Sequence, residues 1–509
     1  MSALDVLHGV VAAFDGLVLV YLVLLNLSYT GLLVLGWSGI SSFVRRRRLR
    51  DYEVIGRSDL SVPVSILVPA YNERPVIVES VRALLGTHYP HAEVVVVCDG
   101  PTDGTLEELI AAFRLVDVSR VPRARLETRP VRRVLVSPLD DRLTVIDKEN
   151  GGKADALNVG LSYARYPLFC AVDADTMLDR DALPRLVWHF QTHPETVACG
   201  GIVRIVNGST VEDSRVTRER TPRSMLVNLQ IVEYLRAFLV GRTGWSRLGM
   251  LVIISGAFGV FRRQAVIDAG GYDTTTVGED VELVVRLHRH LRDRGEPYRV
   301  AFVADPVCWT EAPTDLRTLA RQRDRWQRGL LETVIRHRGM IGRPRYGRLG
   351  LVALPYFVLF ELIGPIVELV AYPVMVASLA LGWASAGAAL TFVCLAFTFG
   401  LVLSFGALRI EERAFQRYAR WRCLGRLVLA LVVENFGYRQ WNTFLRVKAY
   451  WTFARGRTGW GAMVRIGYEI ELPRPELLVP GAVLADPDSD SARDEQLVPA
   501  PVADVALKG

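Results

Sequence analysis

The stretches VPVSILVPA (62–70), RPVIVESVRALLG (74–86) and AEVVVVCDG (92–100) decide the fold. The first and third are short, almost wholly apolar runs rich in valine, the pattern of strands buried on both faces. The second carries apolar residues at helical spacing. Strand, helix and strand in this order form one unit of a parallel sheet covered by helices, and such sheets bind ligands beyond the carboxyl ends of their strands. YPLFCAVDADTML (166–178) adds another buried strand with polar residues at its end. The expected class is α/β, with a mostly parallel sheet in a polar region spanning about 60–340.

Outward from this region the chain turns apolar. Residues 16–44 carry no charge, and GLVLVYLVLLNLSYTGLLVLG alone is long enough to cross the roughly 30 Å hydrocarbon layer. No basic segment precedes it, which argues against a cleaved signal peptide. Four arginines, 45–48, follow it at once and place that end in the cytoplasm and the N-terminus outside. A second apolar block, 349–408, suits two crossings broken near 382–387, and RIEERAFQRYARWR (409–422) returns to the cytoplasmic side. LVLALVVENFGYRQW (427–441) is too short before charges return, and reads as an interfacial or re-entrant helix or a weakly marked fourth crossing. Beyond 475 the composition is that of a disordered tail. The expected organisation is therefore 1–50, membrane helix and basic flank; 51–346, cytoplasmic domain; 347–470, membrane and interfacial helices; 471–509, disordered tail. The cell (inner) membrane is the expected location, with several crossings.

Composition agrees. Half of the 509 residues are hydrophobic, and the 6 cysteines are scattered without a CxxC pair. A disulfide scaffold and a cysteine zinc site are both excluded, and a reducing compartment fits. The net charge of +7 is carried beside apolar runs, which points to a lipid bilayer and not to nucleic acid.

Chemistry is legible where polar residues interrupt the strands. Pro69-Ala70-Tyr71-Asn72-Glu73 and Cys98-Asp99-Gly100 follow the first two strands, and an aromatic with acidic acceptors suits a nucleobase and ribose. Each alone could equally be a turn with a helix cap. In Gly151-Gly152-Lys153 the glycines allow close backbone approach and the lysine can meet a phosphate. Asp173-Ala174-Asp175 puts two carboxylates at the end of a buried strand, where a hard divalent cation bridging a diphosphate would offset their repulsion. A solvated strand end is the bland alternative. Gly278-Glu279-Asp280 opens a helix, where a carboxylate can also be only a dipole partner. Gln322, Arg325 and Trp326 lie at i, i+3 and i+4 on one helical face, as a membrane-surface helix would also have them.

Taken in order, these pieces resemble the processive family 2 glycosyltransferases, which include cellulose, chitin, hyaluronan and poly-N-acetylglucosamine synthases. The resemblance runs from about 64 to 329. It implies a GT-A-like nucleotide-diphospho-sugar transferase domain, a UDP-sugar donor, a growing glycan acceptor and Mg²⁺ or Mn²⁺. By the same resemblance, Ala70, Tyr71, Glu73, Asp99, Lys153 and Asp173 line the donor nucleotide site and Asp173 and Asp175 hold the metal. Asp280 is the general base, with Glu279 beside it. Glu279, Gln322, Arg325 and Trp326 surround the diphosphate and acceptor, the last three matching the QxxRW pattern. Cys98 departs from the Asp-Asp of many relatives. Ser255-Gly256-Ala257 is closer to the chitin-like and poly-N-acetylglucosamine versions, and Trp460-Gly461 with Arg465 is similar to a hyaluronan-type gating segment.

The implied reaction is an inverting displacement. A sugar hydroxyl attacks the anomeric carbon, a carboxylate takes its proton, and the nucleoside diphosphate departs, giving a β-linked polymer whose translocation is a further expectation. The rival readings are a non-processive transferase with a lipid-linked acceptor, and an inactive scaffold or transporter.

Overall fold

The structure is a computed structural model that describes residues 3–47, 61–87, 89–212, 215–418 and 420–456. Arg48, the Trp460-Gly461 and Arg465 segment and the expected tail at 471–509 lie outside the described residues.

The expected strand–helix–strand unit is present as β1 (Val64–Ala70), α1 (Ile77–Leu85) and β2 (Ala92–Asp99). Every residue of β2 is buried, and all of β1 but Pro69. That is why the runs read as continuous valine and isoleucine without alternation. Next come α2 (Thr105–Phe113), β3 (Val116–Val118), β4 (Val131–Val136), β5 (Leu143–Lys148) and α3 (Lys153–Tyr163). They lead to β6 (Leu168–Val172), β7 (Met177–Leu178), α4 (Ala182–Thr192) and β8 (Thr196–Ile205). A hairpin of β9 (Thr210–Glu212) and β10 (Arg215–Arg218) precedes α5 (Met225–Tyr234), which continues through a π-helical Leu235–Gly241 into Arg242–Arg247. The domain closes with β11 (Phe258–Arg262), α6 (Glu279–Asp293), β12 (Arg299–Thr310) and α7 (Leu316–Arg336).

Among the described residues ten strands form one sheet in the order β3-β4-β5-β2-β1-β6-β11-β8-β12-β7. The neighbours β5, β2, β1 and β6 are parallel as expected. The whole sheet is mixed, because β11 runs antiparallel between β6 and β8 and the edges carry antiparallel strands. Register brings the chemistry to one edge. Ala70 pairs with Cys98 and Leu67 with Ala171, so Tyr71, Asp99 and Asp173 all leave the carboxyl ends of adjacent strands.

Three helices are long and apolar enough to cross a membrane: Ala3–Arg46, Leu349–Ala380 and Ala386–Ala414. The break between the last two falls at 381–385, where the glycine-rich interruption was expected. The first and the later two pack together through Val18, Tyr21, Leu22 and Leu25 against Ala371, Met375, Phe392 and Ala396. Leu17, Val20, Leu27 and Val34 stay more than half exposed, as apolar side chains that face lipid would be. The third apolar block is a helix, Trp421–Val433. Its length of about 20 Å is too short to cross alone. It kinks at Phe436 and Gly437 before Arg439–Ala454.

Candidate active site

At the end of β2 both oxygens of the Asp99 carboxylate are held by the protein. Its Oδ1 accepts from Lys148 Nζ at 2.5 Å and from Gly151 N–H at 2.9 Å, and its Oδ2 accepts from Gly152 N–H at 2.7 Å. Lys148 is fully buried and also pairs with Asp155 at 2.7 Å. A lysine between two buried carboxylates holds together charges that would each be costly alone. The N–H groups of Gly151 and Gly152 therefore point at Asp99 and not at a phosphate. Lys148 escaped the sequence reading because a lysine ending a strand is usually a solvated one. The thiol of Cys98 is buried, and burial pushes it up to about 12, so it stays protonated.

The loop after β1 is stitched to the loop after β2. Asn72 sits at φ 54° and accepts from Thr102 N–H at 2.8 Å, and Glu73 N–H donates to Thr105 Oγ1 at 2.9 Å. Tyr71 is left half exposed at the mouth of the cleft, beside buried Ala70.

Lys153, at the first position of α3, crosses the cleft. Its ammonium lies 2.5 Å from Asp173 Oδ1 and 3.5 Å from Glu279 Oε1, and donates to Gly256 C=O at 3.2 Å. Burial pulls its pKa down, yet Asp173 and Glu279 outweigh this and hold it above the usual range. Gly256 then joins the lysine to the acid opposite, because its N–H donates to Asp280 Oδ2 at 2.9 Å. Asp280 Oδ1 accepts from Val281 N–H at 2.8 Å. Each oxygen keeps a further lone pair.

Glu279 does not point away from its neighbour. Both residues line the same cavity, since helical neighbours differ by only about 100° and the cavity wraps around the helix start. Burial raises the Glu279 carboxyl, against the opposing pull of Lys153 and Arg325.

Where the start of α6 meets α7, the two backbones touch at a pair of glycines. A Cβ on Gly278 would lie 2.6 Å from the Cα of Gly329, and one on Gly329 would lie 2.7 Å from the Cα of Gly278. The α7 helix starts at Asp315, whose side chain caps the N–H groups of Arg317 and Thr318. Gly329 lies one turn past Trp326 on α7, so the crossing sets where Gln322, Arg325 and Trp326 sit relative to Asp280. Gly329→Ala must separate the backbones. We expect transfer to fall about tenfold or more with UDP binding retained, because misplacing reacting groups by about 1 Å costs that and more. A steady-state rate within about twofold of the parent would show that the contact does not set the geometry.

Gln322 is buried, and its Oε1 accepts no hydrogen bond among the described residues. Trp326 is 38% exposed, with ring centroids 6.3 Å from Tyr234 and 6.2 Å from Phe238. The Arg323 guanidinium lies 4.3 Å over its ring and pairs with Glu233 at 2.7 Å. Arg323, Tyr234 and Phe238 carried no sequence signal, as aromatic and basic residues on amphipathic helices are commonplace.

All of the expected site residues border one continuous cavity of about 1460 Å³. It also reaches polar residues of the apolar helices, among them Asn26, Glu361 and Glu368. Asp173 and Asp175 both face it. Among the described residues no group of three His, Cys, Asp or Glu side chains could hold a metal. Two carboxylate ligands suit a Mg²⁺-like ion that takes its remaining oxygens from a diphosphate and water, so the residues fit such a cation.

Residues 65–266 match the Glycosyl transferase family 2 model and 168–403 match Glycosyl transferase family group 2. The chain is 29% identical over 300 residues to a poly-beta-1,6-N-acetyl-D-glucosamine synthase of Staphylococcus aureus, covering 58% of this chain and 61% of that one. It is 29% identical over 276 residues to the protein of that name from Staphylococcus epidermidis, covering 54% and 56%. The chain thus spans under two thirds of the curated relatives it matches. Among solved structures, a Pyrobaculum calidifontis mannosyltransferase in complex with GDP-Man and Mn²⁺ aligns at TM-score 0.47 and 20% identity, covering 82% and 99%. S. aureus TarS 1–349 in complex with UDP-GlcNAc aligns at 0.35 and 14%, covering 74% and 92%.

Proposed function

Taking the chain as a family 2 glycosyltransferase, we propose that it extends a β-linked polysaccharide from a UDP-sugar at the cytoplasmic face of a membrane. UDP-N-acetylglucosamine is the favoured donor, UDP-glucose the second. The observation that carries this reading is the single cavity that joins Asp280 and Trp326 to polar residues of the membrane-length helices. A growing chain could leave through it as it is made. The relatives' printed name supports the donor, and the arginines after the first helix support the cytoplasmic side.

In the proposed reaction the acceptor ring lies on Trp326 and presents a hydroxyl to Asp280, which takes the proton as the oxygen attacks the anomeric carbon. The bond from that carbon to the diphosphate breaks on the opposite face, inverting the centre. Arg325 and Lys153 face the charge gathering on the diphosphate. Asp175, with the Asp173 oxygen that Lys153 leaves available, would hold a divalent cation, which supplies Lewis-acid stabilisation of the same charge. Gln322 Oε1 is available to a donor on the substrate. Asp99 acts at one remove, fixing the glycine loop that carries Lys153.

The test is incubation of the purified chain with each common UDP-sugar and Mg²⁺ or Mn²⁺, reading UDP release and product length on gels. We expect release with UDP-N-acetylglucosamine and a ladder of long products. A single short lipid-linked product would favour the non-processive alternative, and no release with any donor would overturn the assignment.

A further inference from the structure

The cavity is lined by several arginines, and most of them have a carboxylate partner. Arg236 pairs with Glu434 at 2.6 Å, Arg323 with Glu233 at 2.7 Å, Arg439 with Glu368 at 3.0 Å and Arg446 with Glu361 at 2.7 Å. Arg242 differs. Only 8% of it is exposed, its Nη1 has no hydrogen-bond partner, and no carboxylate lies within ion-pair distance among the described residues. Its guanidinium lies 3.9 Å over the ring of Phe238, one helical turn back on the same face. Burial brings its pKa down to about 10, against the raising field of Asp280.

A buried cation without a counter-ion is expensive, and a single aromatic face offsets only part of that cost. Guanidinium has five donors and no acceptor, so whatever completes it must bring oxygen lone pairs. Position selects among the oxygens available. The Phe238 ring under Arg242 is also 6.2 Å from Trp326 and 4.3 Å from Tyr234, which makes one aromatic floor. Arg242 shares this floor with Trp326, on which the acceptor ring lies in the proposed reaction, and so stands on the acceptor side of the cleft.

We propose that Arg242 is an acceptor-binding residue, donating hydrogen bonds to hydroxyl or N-acyl carbonyl oxygens of the terminal sugar of the growing glycan as that sugar lies on the Trp326–Phe238 floor. This rests on the polymerase reading above. It adds a cation that the sequence pattern does not mark, carried by the π-helical turn that precedes it.

Arg242→Gln and Arg242→Lys in the full chain test it, with UDP-N-acetylglucosamine as donor and a β-1,6-linked N-acetylglucosamine trisaccharide as acceptor. For Arg242→Gln we expect the trisaccharide KM to rise about 10- to 100-fold, as for loss of a hydrogen bond from a charged donor. UDP affinity should stay within about twofold, and Tm should be no lower than the parent's, because removing an unpaired buried charge relieves the apo protein. Arg242→Lys, which keeps the charge without the fork, should fall between. A trisaccharide KM unchanged in Arg242→Gln overturns the proposal. So does a loss of UDP affinity equal to the loss for acceptor, which would move the cation to the donor site, or a fall in Tm that Arg242→Lys restores together with activity, which would make it structural. If the parent itself binds UDP but extends no acceptor, the polymerase reading fails and the inference falls with it. A parent that extends the trisaccharide, with Arg242→Gln doing so equally well, defeats this inference alone.

Discussion

Asp280→Asn is expected to lower sugar transfer by about 10²-fold or more while UDP binding stays within a few-fold of the parent. The amide keeps the shape of the side chain but cannot take the proton of the attacking hydroxyl. Its surroundings refine the expectation. Both Asp280 oxygens accept backbone N–H donors, from Gly256 at 2.9 Å and Val281 at 2.8 Å. The amide NH₂ must oppose one of them, so either Gly256 or Val281 loses its acceptor. The Gly256 carbonyl would still hold Lys153, which is why donor binding should survive. Near-normal transfer in Asp280→Asn would mean that another group is the base. Loss of UDP binding in step with activity would make the residue structural. Glu279→Gln is not the silent control that adjacency on a helix suggests. Glu279 lies 3.5 Å from Lys153 inside the cleft, so this change should weaken UDP binding while the proton step persists.

Chelation by EDTA is expected to suppress transfer by about 10³-fold or more, and added Mg²⁺ or Mn²⁺ to restore it, because a bound cation contributes several kcal/mol to stabilising the leaving charge. Asp173 Oδ1 is held by the Lys153 ammonium at 2.5 Å. Asp173→Asn should therefore weaken UDP binding even without metal, because it also releases Lys153. Full transfer in excess EDTA would assign the two carboxylates another task. Metal-free UDP binding unchanged in Asp173→Asn would remove the role drawn from its contact with Lys153.

The sequence by itself determined the parallel core and the membrane-length helices, because both depend on local runs of one character. Strands buried on both faces must be continuously apolar, and a helix crossing lipid must avoid charge over its length. The strand-end carboxylates and the Gln322, Arg325 and Trp326 face were legible for the same reason: their spacing lies within a few residues. The antiparallel strand β11 between β6 and β8 was not legible, since pairing across 85 residues leaves no local mark. Nor were the placements that make the site. Lys148 reads as an ordinary strand-end lysine, and only the fold buries it between Asp99 and Asp155. Gly278 and Gly329 are 51 positions apart, and only the crossing of α6 on α7 makes each the one residue type that fits. Arg242 is one arginine among many until the tertiary structure surrounds it and supplies no carboxylate. Periodicity records what an element buries. Which side chains meet, and which charge is left for a ligand to answer, is decided by packing between elements distant in the chain.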